Sequence, residues 1–223
     1  MHHYGKVGDP LSEKSPVETS VKDERLIKIR RGQMVKAAIS LFKEKGFHRT
    51  TTREIARSSG FSIGTLYEYI RSKEDILYLV CDQIYDEVQN KIQAVMDFTK
   101  ETTEETLRKG IASYFQIMDE MQDEVLVMYQ EAKSLPKDRL RYVLQKELQM
   151  VRIFEELIRR YLNYTGIQKQ EPEIQLLAHN IFVQGQMWAF RRWALRKLYT
   201  LEEYIDLQTS LFFGSIHRYV ESN

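Results

Sequence analysis

The sequence predicts an all-α protein: an N-terminal three-helix unit of helix-turn-helix type, then a larger all-helical domain, about nine helices in total. Three observations predict it. Apolar residues recur at helical spacing from Arg25 almost to the C-terminus, with no strand-like alternation between hairpin turns. Only four prolines and ten glycines punctuate the 223 residues, so helices can run long. The stretch GFSIGTLYEYIRSKEDIL at 60–77 sets a tight glycine-containing turn between two short helical segments.

Taken in order, residues 1–22 are rich in Gly, Pro, Ser and charge without an apolar period, and read as a disordered tail. A first helix runs from about Arg25 to Lys45 on a stripe of Met34, Ala37, Ala38, Leu41 and Phe42, with Gly46 as its left-handed C-terminal residue. Thr51 and Glu54 form a capping box for a short second helix that carries Ile55 and Ala56 inward and stops by Gly60. Ser62 caps a third helix of about two turns. Ser72 and Asp75 box the start of a fourth, from about Lys73 to Thr99. Further helices follow at about 103–120, 122–134, 137–164, 172–198 and 201–221, separated by breaks such as Leu135-Pro136 and Thr165-Gly166. The domain boundaries expected are therefore 1–22 for the tail, 23–72 for the helix-turn-helix and 73–223 for the remainder.

Charge is distributed unevenly. From Arg25 to Lys73 twelve Lys/Arg face three acids, a local +9 in a chain of net +1, which leaves −8 elsewhere. That split directs one part of the protein at a polyanion. Where the second helix of a helix-turn-helix lies in a groove, its outward residues can meet DNA. Ile55, Ala56, Phe61, Leu66 and Ile70 point inward, leaving Ser62, Ile63, Gly64, Thr65, Tyr67 and Tyr69 on or near the outer surface. Gly64 permits close approach, and Thr65 can meet a thymine methyl or a base-edge acceptor. The tyrosine hydroxyls, Lys73 and the helix start near Thr51 and Thr52 suit phosphate oxygens.

Residues 35–77, with AAISLFKEKGFHRTTTREIARSSGFSIGTLYEYIRSKEDIL at 37–77, resemble the DNA-binding domain of the TetR family of bacterial one-component regulators. Ile70 stands where Phe is commoner in that family and Phe61 where Val is commoner. The resemblance implies that Thr51 and Thr52 contact the DNA backbone, that Ile63, Gly64 and Thr65 read bases, and that Tyr67, Tyr69 and Lys73 contact phosphates. It also implies a homodimer on a double-stranded operator and a helical ligand-binding and dimerisation domain after residue 72.

Two C-terminal segments, 173–198 and 201–220, are apolar on wide faces and carry Ala178, Gly185, Ala189, Ser210 and Gly214, small residues that allow close helix packing. A four-helix dimer interface and burial within one chain both fit them, and the interface is the reading preferred, since two helix-turn-helix units are needed to span successive half-sites. A small-molecule effector should find apolar residues among the helices of 103–198: Phe115, Met118, Met121, Leu126, Met128, Phe154, Leu157 and Phe182 are candidates, and ordinary core positions too. Tyr129, Gln130 and Glu131 place polar groups beside a mainly apolar helix. Trp188, Arg191, Arg192, Trp193 and Arg196 can stack on a base and pair with phosphates, or form a salt-bridged helix end. Tyr129–Lys133 together with Trp188, Arg191, Arg192 and Trp193 is similar to the branch of the family that represses fatty-acid degradation and senses acyl-CoA thioesters.

Other classes are disfavoured. The five histidines, His2, His3, His48, His179 and His217, form neither HExxH nor the ExxH of di-iron bundles, and Cys81 is alone, so neither a catalytic site nor a metal site is expected. No phosphate-binding glycine loop or GxSxG elbow occurs. No cofactor is expected beyond an effector such as acyl-CoA. The lone cysteine and the lack of a long apolar run point to a cytoplasmic protein with no membrane partner. The rivals to a ligand-responsive regulator are an architectural DNA-binding protein and, behind it, an all-helical enzyme.

Overall fold

The computed structural model describes residues 17–95 and 102–217. Among these residues there are ten α-helices and no strand: α1 Glu24–Arg49, α2 Thr52–Ser58, α3 Ile63–Tyr69, α4 Lys73–Val95, α5 Glu104–Glu120, α6 Gln122–Glu131, α7 Lys137–Thr165, α8 Glu171–Phe190, α9 Arg192–Leu195 and α10 Leu201–His217. A 3-10 turn at Ala132–Ser134 follows α6. Most of the expected tail, the fourth helix beyond residue 95 and the last helix beyond residue 217 lie outside the described residues. Contacts divide the chain into two units. One holds the described residues up to Gln83 together with Val127–Glu147; the other holds Ile84–Leu126 and the residues from Leu148 onward. This grouping cuts the chain elsewhere than at residue 72.

The first unit is built on local capping. Asp23 accepts from the amides of Arg25 and Leu26 and starts α1. Thr51 and Glu54 make the reciprocal capping box of α2, Ser62 accepts from the Thr65 amide, and Asp75 accepts from the amides of Arg71 and Ser72 ahead of α4. Each such cap stabilises by about 1 kcal/mol. Gly46 has the positive φ that its sequence position suggests (φ 78°, ψ 162°), but its ψ is extended and one further helical turn follows it within α1. Gly60, at φ 76°, makes the turn between α2 and α3. Met34, Ala38, Ile55, Ala56, Leu66 and Ile70 are buried where the three helices meet. A fully buried side chain of this size contributes about 1.5–3 kcal/mol.

The segment 17–22 corrects the expectation of a tail. Val17 is buried, its carbonyl accepts from Arg31 Nη2 at 2.7 Å, and the Ser20 amide donates to the Glu68 carbonyl at 3.0 Å. These hydrogen bonds tie it to α1 and to α3. The same unit contains a polar seam between α4 and α7. Asp75 pairs with Arg139, and Asp82 pairs with Lys146 and accepts from the Tyr142 hydroxyl.

The second unit surrounds an aromatic core. Tyr114 of α5 stacks on Phe182 (5.7 Å between centroids, 14° between planes) and meets Phe154 edge-on at 5.0 Å. Its hydroxyl donates to the Phe182 carbonyl. Trp188 lies against Tyr204, which in turn lies against Phe115. Gly185 is small because Tyr114 lies against it: an added Cβ would stand 2.3 Å from Tyr114 Cε1. Ala178 and Ala189 share that buried face of α8. These three small residues therefore pack within the chain.

The expected helix at 172–198 is broken at Arg191 (φ −108°, ψ 21°). No glycine or proline marks the break. Past it, Arg192 meets Asp123 and Gln122, and Arg196 meets Asp119, which also accepts from Trp188 Nε1 at 2.7 Å.

Candidate nucleic-acid interface and effector cleft

The surface that can meet DNA is assembled from α2, the turn and α3. α3 has only two turns, and Leu66, Tyr69 and Ile70 share its inward stripe because they are three or four residues apart. Tyr69 is thus a core residue, 4% exposed, which corrects its placement among the outward tyrosines. Ser62, Ile63, Gly64 and Tyr67 are exposed and Thr65 is half-buried. Tyr67 is 46% exposed, and its hydroxyl meets Thr52 Oγ1 at 3.2 Å, so the second helix of the motif is cross-linked to the first through two predicted DNA-contacting residues. Thr65 Oγ1 lies 3.0 Å from Ser62 Oγ. A small apolar tip, an open backbone at Gly64 and hydroxyls on both sides suit a groove floor bounded by phosphates.

Part of the predicted cationic face is used inside the protein. Lys73 Nζ donates to the carbonyls of Phe47, His48 and Thr50 at 2.9, 3.4 and 3.0 Å, and lies 4.2 Å from the Phe47 ring centroid. With three donors on three carbonyls it braces the end of α1, instead of standing free for a phosphate as expected. Arg31 donates to the Tyr69 and Val17 carbonyls, and burial lowers its pKa against the opposing charge of Asp75. Lys45 pairs with Glu54, and this bond, with those from Thr51, holds the Glu54 pKa down at about 2. Arg25, Lys28, Lys36, Lys43, Arg49, Arg53 and Arg57 remain exposed and keep this unit's outer face basic.

In the second unit a cleft of about 280 Å³ lies between α5, α8 and α10. Ile111, Phe115, Ile181 and Phe212 form its apolar floor, while Asn180, Gln184, Gln208 and Ser215 supply neutral polar groups. Gln184 Oε1 accepts from Gln208 Nε2 at 3.2 Å, and Tyr204 donates to the Gln184 carbonyl at 2.8 Å. Leu177 and Leu211 complete the rim.

Of the predicted effector-binding residues, the cleft takes in Phe115. Met118, Phe154, Phe182 and Trp188 are buried core. Met128 is buried in the other unit, on α6 with Tyr129, which is exposed. Arg192 and Arg196 are salt-bridged to Asp123 and Asp119 and do not line the cleft. Sequence reasoning missed Asn180, Gln184 and Gln208. The two glutamines, lying on otherwise apolar helices, were the available signal. No described helix is long and apolar enough to cross a membrane, and no metal-binding cluster occurs among the described residues.

Comparison with known proteins agrees with this geometry. The profile of bacterial regulatory proteins of the tetR family matches residues 34–78, and that of a tetracycline-repressor-like C-terminal domain matches residues 100–183. The HTH-type transcriptional regulator HbdR of Aromatoleum sp. (strain CIB) is 30% identical over 196 residues, which is 88% of this chain and 84% of that one. The fatty acid metabolism regulator protein of Bacillus subtilis (strain 168) is 24% identical, covering 59% of this chain and 61% of its own length. A crystal structure of a tetR-family bacterial regulatory protein from Rhodococcus RHA1 superposes with a TM-score of 0.71 at 23% identity, over 82% of this chain and 96% of that one.

Proposed function

This chain belongs to the TetR family of bacterial regulatory proteins, and from that premise we propose that it is a dimeric, cytoplasmic repressor released from its operator by an apolar, acyl-thioester effector. The observation that carries the effector reading is the cleft between α5, α8 and α10, with its apolar floor and neutral polar rim. Such a lining suits an acyl chain ending in a hydrogen-bonding thioester and amide, and it offers a charged small molecule no counter-ion. The similarity to a regulator of fatty acid metabolism supports the same class. Arg192 and Arg196 are the phosphate partners this reading assigns, exchanging Asp123 and Asp119 for the effector's head.

Dimerisation is supported by the outer faces of α8 and α10. Leu176 and Val183 of α8 and Leu207 of α10 are each at least half exposed. Burying these faces against a second copy would make a four-helix interface and set two recognition helices for successive major grooves. On the DNA, Ile63, Gly64 and Thr65 are assigned to base edges, with Thr51, Thr52 and Tyr67 on the backbone.

The test is a titration of an acyl-CoA series, with the matching free fatty acids, against a labelled duplex that the protein has selected from a random-sequence pool. Release by the thioesters at concentrations where the free acids do nothing is expected. Arg192→Ala and Arg196→Ala should raise the thioester concentration required while leaving DNA binding in its absence unchanged. If no chain length displaces the protein, the effector class is wrong. If free acids work equally well, the cleft keeps its role and the arginines revert to structural ion pairs.

A further inference from the structure

We propose that Glu131 is a positioning residue for DNA reading, holding the last turn of α1, just ahead of α2, from outside the helix-turn-helix. This rests on the assignment of Thr51, Thr52 and α3 to DNA, which the unaltered protein's own binding tests. Gly46, at φ 78° and ψ 162°, breaks the helical ladder immediately before Phe47. The Phe47 amide therefore has no carbonyl one turn back to receive it. It donates instead to Glu131 Oε1 at 3.1 Å, across 84 positions of sequence.

The site is tight. A Cβ on Gly46 would stand 3.3 Å from that same oxygen, so a side chain at 46 would press on Glu131 as well as meet a positive φ. Phe47 itself is buried, and a buried amide left without an acceptor is costly.

Glu131 does not act alone on this turn. Ser134 Oγ lies 3.2 Å from His48 Nε2, and Lys73 Nζ takes the carbonyls of Phe47, His48 and Thr50. The turn is gripped with matched signs: a carboxylate on the freed amide and an ammonium on the carbonyls. The next residue is Thr51, the N-cap of α2, whose neighbour Thr52 is bonded to Tyr67 on α3. Whatever fixes residues 46–50 therefore fixes the pitch at which α2 and α3 are presented. Because Glu131 is the last residue of α6, the DNA-reading surface depends on a part of the chain that no helix-turn-helix motif contains.

The test compares wild type with Glu131→Ala, Glu131→Gln and Glu131→Asp in the full chain. Two readouts are taken: affinity for the duplex selected by wild type from a random pool, with a scrambled duplex as control, and hydrogen exchange of the Phe47 amide. Glu131→Ala should speed that exchange and weaken binding to the selected duplex, each by about tenfold, the scale of one lost hydrogen bond to a charged group. Glu131→Gln keeps an acceptor oxygen at the same reach and should stay within about threefold of wild type, since one acceptor is all that the Phe47 amide needs. If Glu131→Ala loses helix content, Glu131→Asp decides, because it keeps the charge but falls one methylene short and should share the loss. The proposal is overturned if the deciding variant binds like wild type, if Phe47 exchange is unchanged, or if Gln is as impaired as Ala. Failure of wild type to select any duplex would sink the DNA-contact assignment instead.

Discussion

Gly185 and Tyr114 occupy one space: the tyrosine ring fills the volume that any side chain at 185 would need, with Cε1 only 2.3 Å from where a Cβ would be. Tyr114 cannot easily yield, since its ring also meets Phe154 and Phe182 and its hydroxyl is bonded to the Phe182 carbonyl. Gly185→Ala should therefore destabilise the protein by about 1–3 kcal/mol, as overpacked cores do. Thermal melting checks it. Combining it with Tyr114→Leu should cost less than the two single changes summed, because the clash is then removed. Additivity would mean that the two residues do not compete.

Thr65 should separate reading from holding. Thr65→Ala is expected to lose about 1–3 kcal/mol on the preferred duplex and little on a scrambled one. Competition binding at fixed salt measures both. Equal losses on the two duplexes would remove Thr65 from base reading.

Lys73→Ala takes the donor from three carbonyls at the end of α1. It should lower the melting temperature and leave the salt dependence of DNA binding as steep as in wild type. Each phosphate-bound cation contributes about −0.9 to the slope of log affinity against log salt. A slope flattened by about that amount, with unchanged melting, would return Lys73 to the phosphate role suggested by sequence.

Glu54 supplies a pH prediction. Its folded pKa, about 2, lies below the unfolded value of about 4.3 for a glutamate, so its stabilising contribution is complete above the unfolded value. The contribution is lost as pH falls from about 4.3 towards 2. Glu54→Gln keeps a residue type that suits a capping box but cannot titrate. Denaturation midpoints at pH 5 and pH 2.5 should therefore fall further for wild type than for the variant. Parallel declines would mean that the bonds from Lys45 and Thr51 do not hold the carboxylate in solution.

What was legible in the sequence was local. The capping residues Thr51, Glu54, Ser62, Ser72 and Asp75 act within three or four positions, and Gly46 and Gly60 carry their positive φ at the turns where they stand. What was not legible depends on partners far along the chain. Nothing near Lys73 indicates that three carbonyls will surround it, and nothing near Arg191 announces that α8 ends there or that Arg192 and Arg196 will meet Asp123 and Asp119. Tyr69 was misplaced for a simpler reason: in a two-turn helix one residue of rotation decides between groove and core. The cleft was half legible, through Phe115 but not through the glutamines that rim it.

The seam between α4 and α7 bears on how such regulators can be recombined. Asp75 and Asp82 are buried carboxylates, and their cations, Arg139 and Lys146, come from a stretch that returns to the first unit after an excursion through the second. A hybrid that borrows only the first 83 residues for grafting onto a relative's effector domain would bury both acids beside side chains never matched to them. Breaking one buried pair costs about 3–5 kcal/mol, a large part of a typical protein's whole stability. The specificity head of this protein is thus inherited in two pieces, and a working chimera must transplant 127–147 with it.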